Sequence, residues 1–221
     1  MLLLAIDTSG KNGSLALARA ENTSFELLEL VPLAGRMYSA QVIPSLQEAL
    51  ARHDLKKTDI DAFIVAAGPG SFTGLRVGLS TVKALSEVLG KPIAAVSVLE
   101  AAAAATKSAD PVIVALDAGR KQVFVGDFTD SRAQESLTTW EEFFESVRAG
   151  KTNIFSPDAS VREAAADHGV TIGESAAPQA DVFARLGYEK LLKNEITPAE
   201  ILEANYIRAS DAELFSLPKL Q

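Results

Sequence analysis

The chain has 221 residues, 48% of them hydrophobic, which is enough for one large domain or two small ones with a sizeable core. The absence of cysteine excludes disulfides and thiolate chemistry and suits a reducing compartment, so we expect a cytoplasmic protein. A net charge of −8 disfavours a stand-alone nucleic-acid surface, because binding to phosphates needs clustered Lys and Arg.

Neither a leader nor a membrane association is expected. The opening residues, MLLLAIDTSG, lack the basic stretch of a signal peptide, and their apolar run ends at Asp7. No segment reaches the roughly 20 apolar residues that cross a bilayer.

Apolar periodicity and turn residues predict the elements of the first half of the chain. Pro44 lies near the start of the first predicted helix, so that helix begins shortly before it or bends at it. Ser71 or Thr73 can cap the second helix. In chain order, the expected elements are strands at 2–6, 14–20 and 25–31, a helix at 36–52, a strand at 62–67, a helix from 71 to 89, a strand at 93–98 and a helix at 99–106.

The opening pattern recurs after a predicted boundary at 108–111. A strand at 112–116, a turn that begins with Asp117 and a strand at 122–128 repeat the arrangement around Asp7, which suggests an internal duplication. The remaining expected elements are helices at 139–149, 160–168, 179–192 and 198–203, a strand at 153–156 and an extended segment at 205–208.

The order of the elements predicts the fold class. Strands joined by helical crossovers are typical of α/β proteins. The recurrence of the opening pattern divides the chain into two similar lobes, residues 1–107 and 108–221, and the C-terminal tail can pack back on the first lobe. One helix start carries a local signal, since Thr139 with Glu142 three residues on forms a predicted capping box.

The segment most informative about function is GPGSFTGLRVG at 68–78, between a predicted strand and a predicted helix. Loop amides and a helix N-terminus at such a turn can bind an anion or a nucleotide. The alternative is a tight structural turn, which we favour because no Walker lysine follows the glycines. On the first interpretation, the nucleotide-binding residues are Asp7, Thr8, Ser9, Gly68, Gly70 and Ser71.

Asp7 and Asp117 leave a similar choice open. Each follows a predicted strand, where a carboxylate can order a metal-bound water near phosphates. Each can equally bond the amides of its own turn, and we favour that structural role.

Two glycines, Gly74 and Gly78, fall inside the second predicted helix and each costs about 1 kcal/mol relative to alanine. Two such costs one turn apart suggest a close backbone approach by another helix or by a ligand. The same helix has apolar residues on two sides, so one side can face its own sheet and the other a partner. That both sides are buried within the lobe is an equally open alternative.

Catalytic machinery is not evident. The two histidines, His53 and His168, lie far apart in the sequence, and without cysteine a transition-metal site is not expected. The serines lack a sequence-evident histidine partner, so a catalytic triad is weakly supported. We therefore assign no catalytic residue and no metal ligand.

The glycine-rich segment, together with Asp7-Thr8-Ser9, the turn at 117–120 and NYIRASDAE at 205–213, closely resembles the TsaB (YeaZ) family over almost the whole chain. The resemblance implies an actin/sugar-kinase/Hsp70-like (ribonuclease H-like) α/β fold of two duplicated lobes. It also implies a role, with the larger paralogue TsaD and the ATPase TsaE, in threonylcarbamoylation of the adenosine next to the anticodon in tRNAs that read codons starting with A. The chain would meet tRNA only through that complex.

In that family TsaD is the transferase and holds a metal through a His-x-x-x-His motif on its first helix. The corresponding segment here, 36–44, reads RMYSAQVIP and has no histidine. The resemblance thus implies a non-catalytic subunit with no tightly bound cofactor and at most weak ATP binding. It further implies that the first two helices pair with TsaD or with a second copy. The expected interface residues are Met37, Val42, Leu46, Gly74, Leu75, Gly78 and Val82.

Two other functions are considered. An ATP-dependent phosphotransferase would use the cleft between the lobes, with Asp7 and the glycine-rich loop near the phosphates. A peptidase, a label attached to the wider family through TsaD, is disfavoured because the sequence shows no metal-binding histidine pair, no cysteine and no evident triad.

Overall fold

Two five-stranded mixed sheets organise the part of the chain that the computed structural model describes, residues 1–33, 37–130, 132–150, 153–205 and 207. The first sheet has the strand order β3-β2-β1-β4-β5. Its strands are β1 (Leu2–Asp7), β2 (Gly13–Glu21), β3 (Ser24–Leu33), β4 (Ala62–Gly68) and β5 (Ile93–Ser97). The central strand β1 is buried throughout, since it pairs antiparallel with β2 and parallel with β4.

Three helices belong to the first half of the chain: α1 (Tyr38–Arg52), α2 (Phe72–Leu89) and α3 (Val98–Ala105). Pro44 lies inside α1, which begins before it at Tyr38. This is the first of the two arrangements expected, a helix that begins shortly before the proline or one that bends at it. Ser71 caps α2 by accepting a hydrogen bond from the Gly74 amide at 3.3 Å. Gly90, with φ of +63°, ends α2 in the left-handed conformation that favours glycine.

The second sheet repeats the first. Its strands are β6 (Ile113–Gly119), β7 (Gln122–Asp127), β8 (Gln134–Thr139), β9 (Ile154–Ser156) and β10 (Gly173–Glu174), and its helices are α4 (Trp140–Arg148) and α5 (Ala159–Asp167). The strand order β8-β7-β6-β9-β10 matches that of the first sheet when each lobe is counted from its first strand. The internal duplication predicted from the recurring opening pattern is thereby confirmed.

The chain then returns to the first lobe. Helix α6 (Ala180–Leu192) packs on the first sheet, where Phe183 is fully buried and Gly187 lies so close to Ile64 that a Cβ there would overlap its side chain. Further along, Leu202 is buried with the core on the opposite face of the same sheet. The described C-terminal segment, as far as Asn205, therefore packs on the first lobe.

Helix α3 joins the two lobes. Leu99 and Ala102 on α3 are buried in one cluster with Val114 and Phe124 of the second sheet. Gly126 on β7 permits this approach, because a Cβ there would lie 3.0 Å from the Leu99 Cβ. The first lobe thus contacts the second through a small, closely packed apolar layer.

The structure differs from the sequence-based prediction at the helix expected at 198–203 and at strands β8 and β10, which were not expected. The helix expected at 198–203 is wrong: Ile201 and Leu202 both bond back to the Pro198 carbonyl, and the segment is a turn. Strand β8 was not predicted, because its sequence QESLTT has no buried residue and little apolar alternation. Of the extended segment expected at 205–208, residues 206 and 208 lie outside the described residues, as do residue 36 and the rest of the motif to 213.

Candidate functional site

The turn after β1 lies directly against the glycine-rich loop after β4. The Ser71 amide donates to the Ser9 carbonyl at 2.7 Å. Gly70 lies on the same carbonyl, since a Cβ at position 70 would be 2.5 Å from it. The structure therefore brings together the six residues predicted for a nucleotide site. The backbone of the turn after β1 packs directly against the glycine-rich loop.

Thr8 fixes this turn to α2. Its hydroxyl donates to the Gly74 carbonyl at 2.8 Å and accepts from the Gly78 amide at 3.2 Å. A Cβ on Gly74 would overlap the Thr8 carbonyl oxygen, and one on Gly78 would lie 2.6 Å from the Thr8 hydroxyl. The close approach predicted at these two glycines is confirmed, but the expectation that a helix or a ligand approaches them is wrong, because the approaching group is the chain's own turn.

Asp7 is a buried carboxylate at the end of β1, with 3% of its surface exposed. Its Oδ1 accepts hydrogen bonds from the Ser9 amide at 2.8 Å and the Ser9 hydroxyl at 2.6 Å. Burial raises the pKa of Asp7, because the charged form loses its hydration, and the two bonds from Ser9 oppose the shift. An ionised Asp7 is therefore held here at a cost in stability.

Asp117 occupies the equivalent place in the second lobe, but it is exposed to solvent. Its Oδ1 accepts from the Gly119 amide and its Oδ2 from the Ser160 hydroxyl, both at 2.7 Å. The two aspartates thus share the bond to an amide two residues on and differ in burial. In the first lobe α2 lies close against the turn that follows Asp7.

The seven residues predicted for a partner interface fall into two groups. Met37 is 62% exposed at the start of α1 and stays a candidate. The other six are buried beneath their own helices and so present no surface to a partner in this conformation: Val42, Leu46, Gly74, Leu75, Gly78 and Val82. From periodicity alone, either apolar side of α2 could face a partner. The structure places the side that carries Leu75 and Val82 in the core of the first lobe.

The outward face of α2 carries a stripe at spacing of four residues, which we call the α2 stripe: Phe72, Arg76, Ser80, Ala84 and Val88. Phe72 and Val88 are 38% and 77% exposed. The Arg76 guanidinium lies 3.8 Å from the centre of the Phe72 ring. A shallow groove of about 310 Å³ runs beside it, lined by Phe72, Thr73, Arg76, Val77 and Ser80.

Small residues occupy the middle of the α2 stripe. The Ser80 hydroxyl donates to the Arg76 carbonyl at 2.6 Å, so this polar group is bonded to its own helix. Ala84 follows one turn later and is exposed. Small side chains at the centre of a helix face let a second helix approach closely. The four-residue spacing of the α2 stripe is visible in the sequence, but periodicity alone does not tell which face of the helix is outward.

The histidines hold local contacts. His53 Nε2 lies 3.0 Å from a Glu29 carboxylate oxygen, and His168 Nδ1 lies 2.8 Å from the Ala164 carbonyl. Within residues 1–33, 37–130, 132–150, 153–205 and 207, we find no group of three or more His, Asp or Glu side chains placed to hold a metal ion. Across the same residues, no helix is both long enough and apolar enough to cross a membrane.

A family model and individual relatives agree on the family to which this chain is similar. The model of the family described as "TsaD: tRNA N6-adenosine threonylcarbamoyltransferase" matches residues 31–141, just over half of the chain. The chain is 28% identical over 214 residues to the "tRNA threonylcarbamoyladenosine biosynthesis protein TsaB" of Haemophilus influenzae, covering 94% of this chain and 87% of that protein. The chain belongs to the TsaB (YeaZ) family.

Two further TsaB-family proteins extend the comparison. The TsaB protein of Bacillus subtilis is 36% identical over 127 residues, 57% of this chain, and the match spans about half, 54%, of that relative's length. The solved structure "YeaZ from Pseudomonas aeruginosa" superposes with a TM-score of 0.73 at 23% identity, covering 92% of this chain and all of that one. The duplicated actin/sugar-kinase-like α/β fold expected from the sequence is thus confirmed.

Proposed function

We propose that this chain is the non-catalytic TsaB-type subunit of the machinery that makes threonylcarbamoyladenosine in tRNA, acting with a TsaD-type transferase and a TsaE-type ATPase. The observation that carries the proposal is the 28% identity across 87% of a protein named for that biosynthesis. A family model named for the transferase itself matches half of the same chain, as expected if subunit and transferase are paralogues. In this division of labour, binding of the subunit stabilises the active arrangement of the transferase.

The glycine-rich loop supports a role without chemistry of its own. A helix N-terminus binds phosphate through its free amides. Here the Ser71 amide is already bonded to the Ser9 carbonyl, and the Thr8 hydroxyl is bonded to α2 on both its donor and acceptor sides. A net charge of −8 likewise favours reaching tRNA through a partner.

The outward faces of α1 and α2 are the proposed contact with the partner. The two helices pack side by side and together carry four exposed large apolar side chains: Met37, Ile43, Phe72 and Val88. The α2 stripe, with small residues at its centre, fits a helix from a TsaD-type protein or from a second copy of this chain. Burial of the apolar side chains would supply much of the binding free energy, since large apolar groups dominate such contacts.

Reconstitution tests the proposal. This chain, the TsaD-type and TsaE-type proteins, ATP, threonylcarbamoyl-adenylate and tRNA are combined, and one protein is omitted at a time. We expect the modified nucleoside to form only when this chain is present and not with this chain alone. Full modification without it, or modification by it alone, would contradict the proposal.

A phosphate-release assay on the isolated chain addresses the phosphotransferase alternative. We expect ATP hydrolysis at the background rate. Turnover that Asp7→Asn abolishes would favour an enzyme that uses the loop, and would count against a purely supporting subunit.

A further inference from the structure

A single carboxylate of the second lobe holds both neighbours of Gly68. Glu135, on β8, accepts a hydrogen bond from the Ser97 hydroxyl through Oε1. Through Oε2 it accepts one from the Asn205 side-chain amide at 2.9 Å. Ser97 ends β5 and Asn205 lies in the C-terminal segment, so both donors belong to the part of the chain packed as the first lobe.

Both donors in turn contact the backbone at Gly68. Ser97 is the strand partner of Gly68 where β4 and β5 pair. From the other side, the Asn205 amide donates to the Ala67 carbonyl at 2.6 Å, and the Asn205 carbonyl oxygen lies 2.9 Å from where a Gly68 Cβ would be. The Ala67 carbonyl can accept this bond because the pairing of β4 with β5 shifts register between Ala66 and Gly68.

Gly68 sets the direction in which the chain enters α2. Its φ is +115°, a region that residues with a side chain rarely adopt. Gly70, two residues on, already touches the Ser9 carbonyl, and Ser71 caps the helix. The position of the α2 start therefore depends on the backbone path at Gly68.

The geometry points to Glu135 as a positioning residue that couples the second lobe to the glycine-rich loop and, through the loop, to the start of α2. When β8 moves away from the first lobe, Ser97 and Asn205 lose the same acceptor together, and the loop loses its support on both sides. For its consequence on partner binding this inference rests on the proposed function, since α2 carries the stripe that would meet the partner. Glu135 acts on that surface through Gly68.

Amide hydrogen exchange, followed residue by residue in the full-length chain, tests the coupling. Glu135→Ala is expected to speed exchange at the Asn205 and Ser71 amides at least tenfold, while amides of α5 in the second lobe keep wild-type rates. Glu135→Gln keeps one acceptor oxygen and is expected to give an intermediate effect. Gln134→Ala, the exposed neighbour on β8, is the matched control and should leave both amides unchanged.

Two outcomes of the exchange experiment would overturn the inference. Unchanged exchange at Asn205 and Ser71 in Glu135→Ala would show that the carboxylate does not support the loop. A uniform increase at every amide, including those of α5, would show that Glu135 adds only global stability.

Titration with the purified TsaD-type protein separates the inference from the proposed function. Where the wild type binds, Glu135→Ala is expected to weaken affinity about tenfold, and the double variant with Asn205→Ala no further, because both changes break one connection. Equal affinity of wild type and Glu135→Ala, with faster exchange at Ser71, would contradict the expected consequence for partner binding. Absence of wild-type binding would contradict the proposed function, while the exchange experiment still decides the coupling.

Discussion

The hydroxyl of Thr8 accepts a hydrogen bond from the amide of Gly78 at 3.2 Å, which joins the turn after the first strand to a helix 70 residues further along the chain. The contact requires a residue without a side chain at 78, because a Cβ there would lie 2.6 Å from the hydroxyl oxygen. The glycine-rich segment is thus, in this structure, the means by which α2 packs on β1.

Gly74→Ala is expected to lower the free energy of unfolding by about 2 kcal/mol or more, although alanine is the better helix former by about 1 kcal/mol. The added Cβ would overlap the Thr8 carbonyl, a backbone group that cannot rotate away. Urea unfolding followed by circular dichroism measures the change. Gly10→Ala, whose Cβ would lie 4.0 Å from its nearest neighbour, is the control and should change stability by less than about 0.5 kcal/mol. A Gly74→Ala protein with the same free energy of unfolding as the wild type would show that α2 can shift along the turn.

Asp7→Asn is expected to make the protein more stable at neutral pH. Burial raises the pKa of Asp7, so the folded state binds this proton more tightly than the unfolded state does. The resulting stability is fully present below the unfolded pKa, about 3.9, and is lost as the pH rises through the folded value. Asparagine keeps an acceptor oxygen for Ser9 and carries no charge to desolvate.

Unfolding of wild type and Asp7→Asn should therefore be compared from about pH 7 down to about pH 3, where we expect the advantage of the variant to disappear. Comparing the two proteins at each pH removes the contributions of the other carboxylates. A variant less stable than wild type at neutral pH would mean that a favourable interaction of the ionised Asp7 outweighs its burial.

Ser14→Ala is expected to lower the free energy of unfolding by about 1–2 kcal/mol. The buried Ser14 hydroxyl on β2 accepts a hydrogen bond from the Ala180 amide at 2.8 Å, and so satisfies the first amide of α6. Thermal unfolding of Ser14→Ala and of Ser80→Ala compares the two hydroxyls, since Ser80 is exposed and its hydroxyl donates within its own helix. Equal stabilities of the two variants would contradict a cap between β2 and α6.

Ala84→Arg is expected to leave the fold intact and to weaken binding of the TsaD-type partner at least tenfold, about 1.4 kcal/mol. Ala84 is exposed at the centre of the α2 stripe, where a helix-to-helix contact would have to desolvate the new charge without a partner. Isothermal titration with the purified partner measures the effect.

Ala166→Arg provides the matched control for that change, because Ala166 is an exposed alanine on α5 in the second lobe. It should bind the partner like the wild type. Equal binding by both variants, with native circular dichroism, would place the contact on another face of the molecule.

Much of the fold could be predicted because its signals are local. The strand at the start of the chain is a continuous apolar run, and Thr139 with Glu142 forms the capping box that its spacing indicates. The recurrence of the opening pattern around Asp117 predicted the duplication, since the same strand–turn–strand unit begins each lobe. Strand β8 gave no such signal, because its half-exposed surface lacks apolar alternation.

The sequence by itself indicated the α/β class, an internal duplication, the capping box at Thr139 and the need for close approach at Gly74 and Gly78. Only the tertiary structure decided what approaches those glycines and which face of α2 is outward. Helical periodicity gives the angle between two faces but no information on which of them meets the sheet. That choice depends on contacts between residues far apart in the chain, such as Thr8 with Gly78 and Glu135 with Asn205, which local pattern cannot encode.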